Sequence, residues 1–282
     1  MGIHQKVSNN LKRFTTKNHY IMADCNRPAE QSEVNFEWWA NSDLPDNNIG
    51  DYLAPLINNW MLERKKIENK IDKGPLFLSS VGSVLSLSLN DCTVWGSGLL
   101  CSQISPTIRP RFKKLDIRAV RGPNTKKVLE SRGYICPNVF GDPGMLVPLI
   151  YPAKRTKQQG PLVIKHYLAN WIPNDNFRHA NILTSDYKCF IDKILCSTIV
   201  VSSSLHGIIL AESYGVPAVL LNDKRHDFNL FKYEDWYLST GRSSFPVANS
   251  IEEALSLTPA PLPHLAPLQE KLMSVFPYDL WG

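Results

Sequence analysis

The stretch Val200-Val201-Ser202-Ser203-Ser204-Leu205-His206-Gly207-Ile208-Ile209-Leu210-Ala211-Glu212 constrains the fold more than any other part of this chain. It reads as a buried strand, a hydroxyl-rich turn and a helix that opens on a histidine, and that order is the build of an anion site. The first turn of a helix leaves backbone N–H groups unpaired and carries a positive partial charge, so a phosphate or carboxylate is stabilised there before any side chain contributes. Ser202, Ser203 and Ser204 can add hydroxyl donors, and His206 can add a proton or a positive charge near neutral pH. The same serines also suit simple helix capping, and the histidine a hydrogen-bonded structural role.

The rest of the chain repeats the unit of strand, loop and helix. Val34 to Trp39 reads as the first strand, with Trp38, Trp39 and Trp60 as core around it, and a turn-rich loop leads from Asn41 to Gly50 into a helix from about Asp51 through Glu63. Short apolar runs follow at Leu76 to Val81, Thr93 to Trp95, Ile117 to Val120 and Val139-Phe140, and Asn124 to Arg132 has a polar start and a glycine stop. This alternation predicts an α/β fold with mostly parallel sheets, in which ligands collect at the carboxyl ends of the strands. Pro152 to Pro161 has linker composition, and a second α/β unit follows. Its strands are expected at Leu162 to Ile164, Asn181 to Thr184, Ile199 to Val201 and Ala218 to Leu221, with helices at Tyr187 to Cys196 and Leu205 to Tyr214. Residues 1–32 read as a polar tail, 33–155 as a first domain and 156–282 as a second, whose last helical piece, Leu268 to Val275, packs back on the body.

With 43% hydrophobic and 20% charged residues, the 282-residue chain can bury a full core. A formal charge of +5, from 31 basic and 26 acidic side chains, suits anionic substrates and falls short of a nucleic-acid signature. The six cysteines form no Cys-x-x-Cys pair and no zinc spacing with histidine, so they read as reduced, with no metal expected. Residues 1–14 lack the apolar core of a secretion signal, and no run approaches the roughly 20 apolar residues of a membrane span. The expectation is a cytoplasmic protein, at most peripheral to the inner face of a cell membrane.

Several motifs occur in a recognisable order: Asn48-Ile49-Gly50-Asp51 with Leu53 and Pro55; Gly82-Ser83-Val84-Leu85; Val94-Trp95-Gly96-Ser97-Gly98; Ala119-Val120-Arg121-Gly122-Pro123; Gly141-Asp142-Pro143-Gly144 with Pro148; Ser202 to Gly207; and Phe231-Lys232-Tyr233-Glu234-Asp235-Trp236. Taken together, from about Asn47 to Gly241, the chain resembles the polysaccharide pyruvyl transferase family. That resemblance implies two Rossmann-like domains facing a cleft, the GT-B-like arrangement. It also implies transfer of pyruvate from phosphoenolpyruvate onto a sugar of a surface polysaccharide, or of its lipid-linked precursor, as a cyclic ketal with release of phosphate. Phosphoenolpyruvate is then a co-substrate, and no separate cofactor is expected.

A small ligand carrying both a carboxylate and a phosphate needs two donor-rich anchors on one pocket. Arg121 and the helix start at His206 are the first choice, with Gly82, Ser83, Ser202, Ser203, Ser204 and Leu205 completing the donor site. His206 is the candidate for proton traffic or for phosphate binding, and both stay open. Asp51 is a candidate to orient or deprotonate the acceptor hydroxyl, with a helix cap as the competing reading. His166 and Lys232 are acceptor-side candidates, and Asp142 reads mainly as a turn cap. Some family members carry arginine two residues before the histidine, where this chain has Ser204; Lys165, His166, Arg225 and Lys232 are substitutes for that lost contact. Phe231 to Tyr237 is expected as an aromatic loop. Two other readings compete: a GT-B glycosyltransferase using a nucleotide sugar, and a non-catalytic carbohydrate-binding protein on the same fold.

Overall fold

The computed structural model describes residues 20–22, 34–39, 46–69, 76–86, 91–102, 114–169, 176–224 and 229–282. The first half builds a five-stranded sheet from β1 (Tyr20–Met22), β2 (Val34–Trp39), β3 (Leu76–Ser79), β4 (Cys92–Trp95) and β5 (Leu115–Ala119) in sequence order. β1 is antiparallel to β2, and every other pair is parallel. β1 lies within the segment expected as a polar tail, and the remainder of residues 1–32 lies outside the described residues. The strand runs β3 and β4 are short and apolar, and their inner residues Leu78, Val94 and Trp95 have no exposed surface, as strands covered on both faces must be.

The second half builds a parallel sheet from β6 (Leu162–Ile164), β7 (Arg178–His179), β8 (Val200–Ser202), β9 (Ala218–Leu221) and β10 (Val247–Ala248), in the order β10-β9-β8-β6-β7. β6 therefore has β7 on one side and β8 on the other. The chain reverses its direction of progress across the sheet at this point, and in open α/β sheets the crevice at such a switch is where ligands bind. The hydroxyl-rich turn after β8 opens there. The mostly parallel α/β class expected from the sequence is thus present in both halves.

Helices α1 (Ile49–Glu63), α2 (Pro123–Glu130), α3 (Val147–Ile150), α4 (Tyr187–Leu195), α5 (Leu205–Ser213), α6 (Phe231–Ser239), α7 (Ile251–Ser256) and α8 (Ala266–Ser274) connect the strands. Eight of the nine residues of α5 are buried, so it is a core helix packed on all sides rather than an amphipathic surface one. The largest apolar cluster draws on both sheets: Phe36, Leu53 and Trp95 of the first half share it with Ile164, Ile209 and Trp236 of the second. The closing segment returns to the first half. Trp95 Nε1 donates to the Leu272 carbonyl at 2.9 Å, the Tyr278 hydroxyl to that of Met61 at 3.1 Å, and Trp281 Nε1 to Asn69 at 2.8 Å.

Two elements depart from expectation. Residues 181–184 are not a strand; β7 lies just upstream, and the segment instead meets the start of α1, where the Ile49 amide donates to the Ile182 carbonyl at 2.9 Å and Asn48 bridges Leu183. Residues 231–237 are not a loop but the body of α6, which buries Tyr233, Trp236 and Tyr237. Those positions are spaced i, i+3, i+4, the helical period, behind the charges of Lys232, Glu234 and Asp235.

Candidate functional site

The starts of α1 and α5, one from each half, meet. Asn48 caps α1 by accepting from the Gly50 amide at 3.0 Å, and that turn presents Gly50 to the His206 ring. A methyl group added at Gly50 falls 1.9 Å from His206 Nδ1, so glycine is required there to let an imidazole, not a backbone turn, come close. Asp51 follows on α1. Its Oδ1 is 3.2 Å from where a side chain on Gly82 begins, and Gly82 has φ of +87°, a left-handed conformation that glycine adopts without strain. The motifs around residues 50, 82 and 206 therefore converge.

Asp142, read from the sequence as a cap, divides its carboxylate. Oδ1 accepts from the Gly144 amide at 2.9 Å, the expected cap, while Oδ2 lies 3.6 Å from His206 Nε2. Both of these facing atoms are buried and neither has a hydrogen-bond partner. Unpaired buried polar atoms are costly, about 1–3 kcal/mol each, and they concentrate where a protein keeps a group for chemistry. Asp51 adds to the cluster. Burial pushes its carboxyl up to about 7, and the nearby His206 and Lys232 oppose the rise while Asp142 reinforces it. Asp51 still keeps some open surface, so it sits at a boundary between protein and solvent, holding or releasing a proton near neutral pH. Lys232, from α6, lies with its ammonium 5.1 Å from the centre of the Tyr233 ring, near enough for its charge to oppose the rise at Asp51.

Arg121 has a different setting. Its guanidinium is fully buried, with Nε donating to Asp235 at 3.1 Å, Nη1 to the Ser83 hydroxyl at 2.7 Å and Nη2 to the Leu99 carbonyl at 2.6 Å. Asp235 also accepts from the amide and hydroxyl of Thr125, at 3.0 and 2.6 Å. Gly122 lets α6 come close enough for this, since a methyl group there falls 2.0 Å from the Asp235 carbonyl. Arg121 and His206 belong to one connected region, joined through Ser83, Gly82 and Asp51, but the arginine points into an ion pair.

The serines divide as well. Ser202 donates to the Ile164 carbonyl at 3.0 Å and accepts from the Ser204 amide at 3.0 Å, which shapes the turn, and Ser203 accepts from the His166 amide at 2.8 Å. These bonds tie the loop after β6 to the loop after β8 across the switch point. The Tyr233 hydroxyl donates to the Ser203 carbonyl at 2.7 Å, so α6 also holds this turn. Ser204 occupies the cap position of α5 without a side-chain capping bond, and Leu205 is buried. His166 and Lys165 are half-buried beside the switch, with the His166 ring stacked on Tyr167; Arg225 lies outside the described residues. Glu212 pairs with Arg242 at 2.7 Å and accepts from Trp236 at 2.8 Å, well away from His206 on the helix. Among the described residues, no group of His, Cys, Asp and Glu is placed to hold a metal ion, and no helix is long and apolar enough to cross a membrane.

Asp235 lies in the segment expected as a loop, and only the helical spacing of Tyr233, Trp236 and Tyr237 signals that it is turned inward. The second use of Asp142 had no local signal, since its partner is far along the chain.

Comparison with known proteins bears on the motifs from Asn48 through Gly207. Succinoglycan biosynthesis protein ExoV of Rhizobium meliloti (strain 1021) is 28% identical over 182 residues, 58% of this chain and 54% of that protein. An uncharacterized protein of Acanthamoeba polyphaga mimivirus is 30% identical over 192 residues, 62% of this chain and 63% of its own length. The chain thus spans between half and two thirds of the relatives it matches. A solved structure of an uncharacterized Klebsiella pneumoniae protein superposes with a TM-score of 0.47 at 14% identity, over 84% of this chain and 94% of that one. A family model described as polysaccharide pyruvyl transferase matches residues 48–225, a span that holds Asp51, Gly82, Ser83, Arg121, Asp142 and the Ser202 to His206 turn. The chain belongs to the polysaccharide pyruvyl transferase family.

Proposed function

We propose that the chain is a phosphoenolpyruvate-dependent ketal pyruvyltransferase acting on a sugar of a surface polysaccharide or its lipid-linked precursor. The observation that carries this reading is the gathering of His206, Asp51, Asp142 and Lys232 from four separate motifs into one cluster, with two buried polar atoms left unpaired.

The donor is a dianion or trianion on a small frame, and the cluster offers it Lys232, the open amides at the start of α5 and the Ser83 hydroxyl. Arg121 stands behind Ser83 and holds it rather than meeting the donor itself. The reaction needs a proton added to the methylene carbon of the donor, which makes its C2 electrophilic. One sugar hydroxyl adds at C2, phosphate leaves with the bridging oxygen, and a second hydroxyl of the same sugar closes the ketal. Of the two hydroxyl protons, one replaces the proton consumed at the methyl carbon and the other leaves with phosphate. His206 handles proton delivery or grips the phosphate, and Asp51, ionised above about pH 7, accepts a hydroxyl proton. His166 lies on the acceptor side. In the larger setting, residues 33–155 and 156–282 act as two domains, and the interface their strand ends form is the cleft.

The test is to incubate the purified protein with phosphoenolpyruvate and a panel of glycosides, reading inorganic phosphate and product mass. Phosphate release together with a pyruvate ketal mass gain supports the reading. Release of a nucleotide from a nucleotide sugar, or no turnover with any acceptor, overturns it.

A further inference from the structure

His206 and Asp142 face each other through atoms that nothing else in the protein satisfies, and the geometry on either side of them fixes more than their proximity. On one side, Asp142 Oδ1 is committed to the Gly144 amide at 2.9 Å, so the carboxylate cannot rotate freely, and Oδ2 is the oxygen presented to the ring. On the other, Nδ1 is turned toward Gly50, which is bare of a side chain. Nε2 is buried without a partner, so the tenth of the His206 side chain that stays open belongs to the rest of the ring. The Nε2 to Oδ2 distance of 3.6 Å is longer than an ideal hydrogen bond, yet Nε2 has no other partner, so Oδ2 is the acceptor that a proton on Nε2 faces even without substrate.

We propose that Asp142 is the positioning residue for His206: it accepts the Nε2 proton, fixes the neutral ring as the Nε2–H tautomer, and leaves Nδ1, over Gly50, as the nitrogen that exchanges protons with substrate. This goes beyond the function proposed above and rests on it only for the identity of the substrate. The role of the turn around Asp142 is then double. A carboxylate is needed rather than an amide because the cap consumes one oxygen as an acceptor, and only a second acceptor can hold Nε2–H. In Asp142→Asn the Gly144 amide still needs an oxygen, so the side-chain amide must point its NH2 at Nε2. That forces the ring into the Nδ1–H tautomer and removes the lone pair from the working nitrogen, the same logic by which an asparagine beside a catalytic histidine gives the wrong tautomer. The other charged groups coupled to the ring are Asp51 on α1 and, through Asp51, Lys232 on α6, and Nε2 has no hydrogen-bond partner.

The experiment is nitrogen NMR of histidine-labelled full-length protein without substrate, at a pH where the ring is neutral, with the His206 signals assigned by their loss in His206→Gln. The wild-type protein is expected to show the Nε2–H pattern and Asp142→Asn the Nδ1–H pattern, with kcat for the proposed transfer falling at least ~100-fold and KM for phosphoenolpyruvate changing little. A wild-type Nδ1–H tautomer overturns the inference outright, whatever Asp142→Asn does. An unchanged tautomer in Asp142→Asn overturns it too, as does a loss confined to KM. Because the tautomer is read without turnover, absence of pyruvyl transfer in the wild type sinks the functional reading while leaving the pair to be judged by its own spectrum.

Discussion

Two polar clusters lie on either side of Gly82 and Ser83, and they are built on contrasting terms. In the Arg121–Asp235 pair, all three guanidinium nitrogens donate to protein acceptors, and the carboxylate is further satisfied by Thr125, with no exposed surface on either side chain. In the His206–Asp142–Asp51 cluster, two buried atoms have no partner and one carboxyl is pushed up to about 7. A saturated buried pair fixes geometry; removing one member leaves an uncompensated charge, but the intact pair has little left to offer a ligand. An unsaturated cluster is costly to keep and ready to bind. The difference separates a pair whose polar groups are used up within the fold from one whose facing atoms still lack a partner.

That comparison can be broken in order of expected effect. Arg121→Ala should cost about 3–5 kcal/mol of stability by stranding Asp235, read as a large fall in denaturation midpoint, with activity lost along with the fold. A stable Arg121→Ala protein with weakened donor binding alone would reverse the assignment and make the arginine a ligand contact. His206→Ala should lose ~1,000-fold in kcat while keeping its unfolding free energy within about 1–2 kcal/mol, so that chemistry and folding part company at the two clusters. Equal losses of stability in both variants would erase the distinction.

Asp51 gives a pH test. Its folded carboxyl titrates near 7, above the ordinary aspartate value of 3.8, so between these values the folded state binds the extra proton. Stability from this group is present at low pH and is lost as pH rises through about 7; the loss is no more than a few kcal/mol, because Asp51 keeps some open surface. Asp51→Asn should flatten that slope in denaturation measured from pH 4 to 8, and an unaltered slope would place the titration elsewhere. Gly50→Ala should displace the imidazole, since the added methyl meets Nδ1 at 1.9 Å, costing ~10-fold or more in kcat with a stability change of about 1 kcal/mol. Smallest of all, Ser83→Ala removes one acceptor from Arg121 and should cost about 1 kcal/mol, checked by chemical denaturation.

Much of the framework was legible because burial writes itself into local pattern. β2, β6 and β9 occupy the residues their apolar runs specify, and α5 begins at Leu205 as the serine turn requires. The misreadings have physical causes. α6 looked like a loop because Lys232, Glu234 and Asp235 interrupt its aromatics, yet two of those charges face the interior region, Asp235 into an ion pair and Lys232 toward Asp51. The apolar character of residues 181–184 serves contact with α1 rather than strand pairing. Within the candidate site, the sequence pointed to Asp51, Ser83, Arg121 and His206 as residue types suited to an anion, but gave no means of telling which of them would be consumed by the protein itself.

Sequence alone determined the α/β alternation, the parallel sheets and the list of polar residues at strand ends, since all of these follow from hydrophobic period and turn chemistry within a dozen residues. Only the tertiary structure decided that Arg121 is spent on Asp235, 114 residues away, while His206 Nε2 faces Asp142 Oδ2 at 3.6 Å. Whether a polar atom is satisfied depends on partners brought together by folding, and spacing along the chain carries no record of them.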